Sequence, residues 1–479
     1  MLMILSILLP MLGAIELFLI KEDKKRRFVT AFLVIVSAIV AVVASLTSGG
    51  ESFTLLHISP ALSLSFAADG LSVFFIVLVS IIWCLVQFHA FGYMPHEGGE
   101  NRFFGFFVLT YSALIALALA ANAVTMYMCF ELMTLFSMPL VLHNGSEVSR
   151  EASIKYLGYS TLGAALALMG FFLLSLNAGS LDFTPGGIEL GENSALLLVS
   201  CFLIVLGFGA KAGLVPLQMW LTEAHPVAPS PASAVLSGLI TKGGVIAIIR
   251  SVFYLFGADF VKGTWVQTAT LSIAVITIFF GSMLAYREKL LKKRLAYSTI
   301  SNVSYVLFGL FTFTELGFVG ALLQVVFHAL AKDVLFLAAG SVIFASHHTY
   351  VSQLKGIGRR MPVTMWCFAI AALSLIGIPP AGGFVAKWYL AIGALQSGSA
   401  LELAGVIVLM VSALLTAFYL LSIVANAFFP GKDYPAEEAC EVEAKMLVPL
   451  IVFSALVVLL GIAPGGIIEF IQALAGTIL

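Results

Sequence analysis

Long apolar runs, separated by short polar segments, dominate the pattern of residues along this chain. A helix of about 20 apolar residues is long enough to cross a lipid bilayer. We find fourteen such runs and predict that each is a membrane span: 2–20, 28–47, 70–91, 103–121, 122–143, 155–177, 195–222, 232–256, 265–286, 294–313, 317–346, 363–396, 401–429 and 446–474. Only Asn122 marks the division between the fourth span and the fifth.

The composition indicates the same class of protein. Hydrophobic residues make up 61% of the 479 residues, charged residues make up 10%, and the mean hydropathy is +1.08. A soluble domain carries about 25% charged residues. The net charge of −1 and the lack of a basic stripe argue against a nucleic-acid-binding surface. We therefore expect an all-α polytopic membrane protein.

Lysine and arginine are distributed unevenly between the two sets of loops. Of the 24 Lys and Arg residues, 18 lie in loops after odd-numbered spans or, as Lys155 and Arg294 do, at the first position of the next span, and one, Lys262, follows an even-numbered span. The other five lie inside spans: Lys211, Lys242, Arg250, Lys332 and Lys387. Cytoplasmic loops are enriched in these residue types. We therefore expect odd-numbered loops in the cytoplasm, both termini outside, and a location in the plasma membrane of a prokaryote.

Two polar segments between the spans attract attention. Residues 51–68 alternate partly between apolar and polar side chains and contain Pro60, which fits a small external hairpin or an amphipathic flap. Residues 430–445 are polar and acidic. We expect them to form a cytoplasmic loop and to be the contact for a soluble partner.

Two apolar segments place a lysine beside a proline or glycine break. Lys211 precedes Pro216 in the seventh span, and Lys387 follows a second break in the twelfth span. The residues of the second break are Pro379, Pro380, Gly382 and Gly383. Proline removes a helix hydrogen bond, and broken helices at membrane depth occur where protein or a water-filled cavity covers them. We predict that helices 7 and 12 are broken here and lie on an ion path.

The two breaks occupy corresponding positions in a weak internal repeat. Spans four to eight and spans nine to thirteen each have the break in their fourth member. Five is an odd number, so the two units would cross the membrane in opposite directions, as inverted repeats of transporters do. The predicted division is 1–102 for three N-terminal helices, 103–256 and 265–429 for the two five-helix repeats, and 446–479 for the last helix.

Charged and titratable side chains occur in the middle of several spans, where a charge is costly. The candidate proton-relay residues are Glu131, Lys211, Lys242, His328, Lys332 and Lys387. A carboxylate near an ammonium keeps both charged, so opening and closing a Glu131–Lys211 pair can move a proton. The alternatives are a locally neutralised glutamate and a lysine that snorkels to the interface.

The relay continues on the eleventh span. His328 and Lys332 are four residues apart, which places them on one helix face. Asp333 points about 100° away from Lys332, and its partner remains open. The histidines His225, His347 and His348 lie near loop ends, where solvated or capping histidines are common.

No motif for bond-breaking chemistry is present. The sequence has no Walker motif, nucleophile elbow or dinucleotide fingerprint. The five cysteines are scattered and form no C-x-x-C pair. We expect no cofactor, no metal site and no catalytic residue.

A long motif, KAGLVPLQMWLTEAHPVAPSPASA at 211–234, leads to Gly238 and Lys242. It resembles the signature of the proton-conducting, antiporter-like subunits of respiratory complex I, membrane-bound hydrogenases and Mrp-type sodium/proton antiporters. Further matches are Asp69-Gly70-Leu71-Ser72, Phe130-Glu131-Leu132, 294–301, 328–332 and 377–387. Together they extend over most of the chain.

This resemblance implies about fourteen helices with two inverted five-helix repeats. It implies a Glu131–Lys211 pair, Lys242 as the central relay residue, His328 and Lys332 as the connection, and Lys387 facing the exit. Asp333 departs from the family, which has a small or apolar residue there. A carboxylate at this position would hold Lys332 charged.

Two functions follow from the resemblance. The first is a proton-translocating subunit of a redox-driven complex, with other membrane subunits and soluble redox subunits as partners. The second is an Mrp-type sodium/proton antiporter subunit without a redox partner. A solute transporter or a purely structural subunit is a third hypothesis, but it leaves the charged series unexplained.

Overall fold

The computed structural model describes residues 2–59, 62–192, 194–431 and 440–479. These ranges are almost entirely helical. The helices are α1 (Leu2–Leu17), α2 (Asp23–Thr47), α3 (Gly70–Glu97), α4 (Glu100–Leu119), α5 (Ala123–Val141), α6 (Glu147–Ser175), α7 (Ser194–Ala212), α8 (Met219–Val227), α9 (Ser230–Val235), α10 (Thr241–Ser251), α11 (Ala258–Val261), α12 (Trp265–Arg287), α13 (Leu291–Leu310), α14 (Glu315–Ser346), α15 (Ile357–Arg360), α16 (Pro362–Ile376), α17 (Gly383–Gln396), α18 (Ala400–Phe428), α19 (Ala444–Ile462) and α20 (Gly465–Ile478). Two π-helical turns, Leu236–Ile240 and Val252–Phe256, extend α9 and α10 into one continuous segment, and Val351–Leu354 is a 3₁₀ turn.

Many of these helices have the length and composition of membrane spans. In the described ranges, 11 helical segments are long and apolar enough to cross a bilayer, and α1, α16 and α20 are shorter apolar helices. The polytopic helical fold is thus confirmed. Helix α13 is not among these segments, because it carries Lys292, Lys293, Arg294 and several hydroxyl side chains. The count of fourteen spans stays a prediction.

The helix ends test two predicted boundaries. Helix α4 ends at Leu119, and the Asn122 side chain caps α5 by accepting a hydrogen bond from Thr125 N at 2.8 Å. The division at Asn122 is therefore confirmed. The single predicted span 446–474 is wrong: α19 ends at Ile462 and α20 begins at Gly465. The residue before a proline avoids helical geometry, and Pro464 imposes that restriction on Ala463.

One end of the bundle, called here the hairpin end, gathers the loops that follow predicted spans two, four, six and eight. Strands β1 (Phe53–Ser59) and β2 (Leu62–Phe66) form an antiparallel hairpin, one of the two forms expected for residues 51–68. Pro60 lies outside the described residues. The Ala121 N–H donates to Ser65 O at 3.0 Å, the Phe183 N–H to Ala121 O at 2.9 Å, and the Thr184 N–H to Tyr254 O at 3.1 Å.

The opposite end, called the basic end, gathers loops that follow odd-numbered predicted spans. Leu291 N donates to Thr349 O at 2.9 Å, which joins the segment before α13 to the segment after α14. Glu223 forms ion pairs with Lys155 at 3.1 Å and Lys293 at 3.3 Å. The proposed partner loop 430–445 also belongs to this set, but its residues 432–439 lie outside the described part of the chain.

Two elements form the centre of the bundle. Every residue of Ser230–Phe256 is buried. The same holds for an apolar stretch of 18 residues in α14, whereas only 33% of the corresponding stretch of α19 is buried. Glycine allows close approach here: a Cβ atom at Gly244 would lie 2.6 Å from Phe208 O and 2.8 Å from Ala212 N. The lack of a side chain at Gly244 thus lets the backbones of α7 and α10 approach each other closely.

An ion pair between the buried Arg250 and the half-buried Asp69 closes the hairpin end of this centre. Asp69 caps α3 by accepting a hydrogen bond from Ser72 N at 2.9 Å, and aspartate is among the residues preferred at this position. Its carboxylate also accepts hydrogen bonds from Arg250 at 2.6 and 2.8 Å and from Tyr254 at 2.8 Å. Burial alone would raise the pKa of Asp69, but the Arg250 charge and these hydrogen bonds hold it below its usual range. The pair lines a surface cavity of about 680 Å³, together with residues of the hairpin and of the loops around Asn122 and Asp182.

We expect Asp69→Asn to lower the free energy of unfolding by about 2 kcal/mol, because the buried Arg250 loses its counter-ion. Asparagine still caps the helix, so the loss reports on the ion pair. Because the folded-state pKa of Asp69 is depressed, its contribution is present above the unfolded-state pKa and disappears only as pH falls through the folded-state value. Thermal unfolding of the purified protein at neutral pH measures the effect, with the exposed Asp259→Asn as control. Equal midpoints for the two variants would contradict it.

Candidate functional site

The six predicted relay residues lie on five different helices around the bundle centre. Glu131 lies on α5, Lys211 on α7, Lys242 on α10, His328 and Lys332 on α14, and Lys387 on α17. Glu131 is partly buried, and the other five side chains are buried. Snorkelling of the four lysines is thus excluded, since none of them reaches the surface.

Lys211 lies at the end of the first half of the broken helix. Helix α7 stops at Ala212 and α8 starts at Met219, so the break falls around Pro216 as predicted. The Lys211 ammonium donates to Tyr156 Oη and Ser160 Oγ of α6, each at 2.9 Å. It also lies 4.3 Å from the centroid of the Tyr156 ring. The indole N–H of Trp220 donates to Ala210 O at 2.8 Å and so satisfies one carbonyl near the break.

Glu131 and Lys211 influence each other electrostatically but are not in contact. No N–O distance of 4.0 Å or less joins them within the described residues. Glu131 Oε1 has no hydrogen-bond partner there. Tyr156 instead connects the two helices, because its hydroxyl lies 2.9 Å from Lys211 Nζ and 2.6 Å from Ser137 Oγ of α5. The expected contact between Glu131 and Lys211 is thus not formed in this structure.

Lys242 makes the most direct link between relay residues. Its Nζ atom lies 2.6 Å from His328 Nδ1 and donates to Ser237 O at 2.6 Å. The π-helical turn Leu236–Ile240 displaces the backbone from regular α-helical hydrogen bonding beside this carbonyl. A π turn inside a helix is frequent at functional sites. Sequence reasoning found Lys242 and His328 but not the π turn that orients them.

Lys332 is held by α13 instead of by a carboxylate. Its ammonium donates to Leu295 O at 2.7 Å and to Ser298 Oγ. His328 Nε2 has no hydrogen-bond partner among the described residues. His328 and Lys332 share a face as predicted, and each contacts a different neighbouring helix.

Asp333 is the buried carboxylate whose partner the sequence left open. The charge that acts on it is that of Lys242, and Asp333 is not among the groups that act on Lys332. Both Oδ atoms are buried and lack hydrogen-bond partners within the described ranges. Asp333 lies against Gly238 in the π turn, where a Cβ atom would be 2.7 Å from each oxygen.

Lys387 lies at the second break. Helix α16 ends at Ile376 and α17 begins at Gly383, so Pro379, Pro380 and Gly382 lie in the connection, as predicted. The Lys387 ammonium donates to Leu375 O at 2.5 Å and Ile376 O at 2.7 Å. These carbonyls belong to the end of α16, which carries the negative end of the helix dipole.

His225 was missed by the sequence reasoning, which placed it near a loop end as a solvated or capping residue. It is fully buried in α8 and stacks on Phe336 with ring centroids 4.6 Å apart. Neither ring nitrogen has a hydrogen-bond partner in the described part of the chain. Lys292, Lys332 and Lys242 act on it electrostatically. The only signal in the sequence was its place in the long motif.

The site thus contains four buried lysines in contact with hydroxyl, carbonyl and imidazole groups. Hydroxyl and imidazole groups can either donate or accept a hydrogen bond, so they suit a lysine that alternates between ammonium and amine. The arrangement therefore permits proton transfer. No cluster of three or more His, Cys, Asp or Glu side chains that could hold a metal occurs in the described residues.

The family described as "NADH:quinone oxidoreductase/Mrp antiporter, TM" matches residues 120–416, which is more than half of the chain. The chain belongs to this family. A second family, "NADH-Ubiquinone oxidoreductase (complex I), chain 5 N-terminus", matches residues 57–104. The antiporter-like family assigned from the long motif is therefore confirmed.

Known members of this antiporter-like family resemble the chain over most of its length. The N subunit of NADH-quinone oxidoreductase from Desulforudis audaxviator is 32% identical over 84% of this chain and 83% of that protein. The D subunit of the Na(+)/H(+) antiporter from Alkalihalophilus pseudofirmus is 27% identical over 100% of this chain and 97% of that protein. A chain of the Mrp complex from Dietzia sp. has the same fold, with a TM-score of 0.87 at 22% identity, 99% coverage of this chain and 97% of that chain.

Proposed function

We propose that this chain is a proton-translocating membrane subunit of a redox-driven complex of the complex I or membrane-bound hydrogenase type. The observation that carries the proposal is the buried contact of 2.6 Å between Lys242 Nζ and His328 Nδ1. An ammonium and a neutral imidazole at hydrogen-bond distance can exchange a proton, because each group can exist in a protonated and a neutral form.

The proposed relay starts at Lys211, whose charge responds to the distance of Glu131. When the carboxylate approaches, the Lys211 ammonium is stabilised. When it withdraws, as in this structure, the proton is released towards Lys242. His328 then passes it along α14 towards Lys332, and Lys387 releases it at the second break. Each step transfers one proton between neighbouring side chains or through intervening water.

The same proposal includes two inverted five-helix repeats, 103–256 and 265–429, between helices 1–102 and the C-terminal segment 446–479. It is supported by the two broken helices, α7/α8 and α16/α17, which fall in equivalent positions. The match between the repeats is imperfect, because the lysine precedes the break in the first case and follows it in the second.

We further propose a plasma-membrane location in a prokaryote, with the basic end in the cytoplasm and both termini outside. The excess of lysine and arginine in the odd-numbered loops supports this orientation. Other membrane subunits would pack beside the chain, and soluble redox subunits would attach at the basic end.

The test is proton flux in membrane vesicles that contain the assembled complex. Lys211→Ala and Glu131→Ala should each abolish flux while the complex still assembles, because either change removes one member of the switching pair. The exposed Lys262→Ala serves as the control and should pump normally. Full pumping in both site variants would end the proposal.

An Mrp-type sodium/proton antiporter subunit without a redox partner is the second candidate. The extent of the sequence alignment favours it, because the antiporter protein of Alkalihalophilus pseudofirmus aligns with 100% of this chain. Purification of the complex separates the two. Flavin, nickel or iron–sulfur subunits would indicate the first function, and sodium-dependent proton flux without a reductant would indicate the second.

A further inference from the structure

Asp333 is a buried carboxylate to which the relay described above gives no role. Its exposed fraction is 0%, and neither Oδ atom has a hydrogen-bond partner among the described residues. An isolated ionised carboxylate in such surroundings is strongly destabilised. Asp333 must therefore either carry a proton or form an ion pair with a nearby cation.

The position of Asp333 identifies that cation. The carboxylate lies against Gly238, at the middle of the π turn Leu236–Ile240. Ser237, the residue before Gly238, supplies the carbonyl that accepts a hydrogen bond from Lys242 Nζ at 2.6 Å. Asp333 and the Lys242 ammonium thus lie beside the same turn. A Cβ atom at Gly238 would lie 2.7 Å from each carboxylate oxygen, so any larger residue there would displace the Asp333 carboxylate.

The other charged groups around Lys242 do not compete for Asp333. On α14, His328 contacts Lys242 directly, and Lys332 is a like charge that donates to α13. On α8, His225 is within electrostatic range of Lys242 and Lys332. On α3, His89 contacts Ser341, two turns further along α14. Lys242 is the charged residue that acts on Asp333.

We propose that Asp333 is the alternative partner of the Lys242 ammonium, so that Lys242 moves between His328 Nδ1 and the Asp333 carboxylate. The inference rests on the proposed function and adds a second switching pair to it. In the present structure Lys242 contacts His328, and no N–O distance of 4.0 Å or less joins it to Asp333 in the described residues.

One proton moves in each transfer step. The Lys242 ammonium gives a proton to His328, which leaves a neutral amine and an imidazolium. The amine then takes up the next proton from the Lys211 side. The new ammonium is drawn to the Asp333 carboxylate and away from the imidazolium, whose like charge repels it. This separation prevents back-transfer until His328 has passed its proton on.

Proton flux through the purified complex in liposomes, driven by an imposed potential and measured over a range of pH, tests the proposal. Asp333→Asn should reduce flux at least about tenfold at neutral pH and move the half-maximal flux to lower pH by about one unit, because the amide no longer favours the ammonium. The matched control is Asp259→Asn, an exposed aspartate outside the site. A merely structural role for Asp333 would lower the flux without moving its pH dependence.

Three comparisons separate the possible outcomes. If Lys242→Ala conducts normally, the proposed function itself fails. If Lys242→Ala is inactive but Asp333→Asn keeps the wild-type pH dependence, only the switching pair is overturned. If Asp333→Asn instead removes a sodium requirement while its pH dependence is unchanged, the carboxylate binds sodium and the proposal is wrong.

Infrared spectroscopy of Lys242→Ala gives a second measurement that does not need an assembled Asp333 variant. Without the ammonium, Asp333 should be protonated at neutral pH, so an additional protonated-carboxyl band should appear relative to the wild-type complex. Isotopic labelling of aspartate should shift that band. Identical carboxyl spectra for the two proteins would overturn the pairing of Asp333 with Lys242.

Discussion

Replacing Lys242 by alanine is expected to reduce proton flux at least about a hundredfold, which is the scale on which a positioned proton-transfer group contributes. The variant removes the donor that lies 2.6 Å from His328 Nδ1. His328 then keeps an unpartnered Nε2 and loses its Nδ1 partner, so both ring nitrogens are isolated from the rest of the relay within the described residues. Flux through the reconstituted complex measures the effect.

Lys242→Arg is the matched comparison, because arginine keeps the positive charge but does not release its proton. If Lys242 acts by exchanging a proton, the arginine variant should be as inactive as the alanine variant. Near-normal flux in Lys242→Arg would mean that a fixed charge is sufficient, and would contradict a relay role.

Gly383→Ala is expected to disrupt the second helix break and to lower both the stability and the flux of the complex. A Cβ atom at Gly383 would lie 1.9 Å from Ser374 O and 2.8 Å from Ser374 C, both of which belong to the backbone of α16. The backbone must move, at a cost of about 1–3 kcal/mol. That movement displaces the end of α16, whose carbonyls at Leu375 and Ile376 hold the Lys387 ammonium. We expect at least about a tenfold loss of flux, as for a misplaced transfer group.

Gly466→Ala is the control for this change, because a Cβ atom there meets no heavy atom of the described residues within 4 Å. Thermal unfolding and flux are measured on both variants after purification of the intact complex. Equal midpoints and equal flux for Gly383→Ala and Gly466→Ala would show that the break tolerates a side chain.

Features that depend on neighbouring residues in the sequence were predictable. Proline and glycine act on their own backbone, so the breaks at Pro216 and at Pro379 and Pro380 lie where the sequence places them. The division at Asn122 follows from the capping preference of asparagine in the same way. The family followed from one long motif, because its spacing is specific.

Features that depend on tertiary contacts were not predictable. The π turn at 236–240 lies against a neighbour that occupies the space beside Gly238, and that neighbour, Asp333, is far away in the sequence. For the same reason the sequence left the partner of Asp333 open. His225 was placed near solvent because nothing local indicated that Phe336 covers its ring. Pro464 is a local signal for the end of a helix, but it lies inside a long apolar run that was interpreted as one span.

The complete burial of Ser230–Phe256 and of the apolar stretch of 18 residues in α14 has an electrical consequence. These elements carry Lys242, His328 and Lys332, so protein surrounds the charges on every side and the hydrocarbon of the bilayer never touches them. The surrounding helices separate these charged side chains from the lipid. On the proposed relay, a proton would therefore be kept apart from the lipid while it crosses the protein.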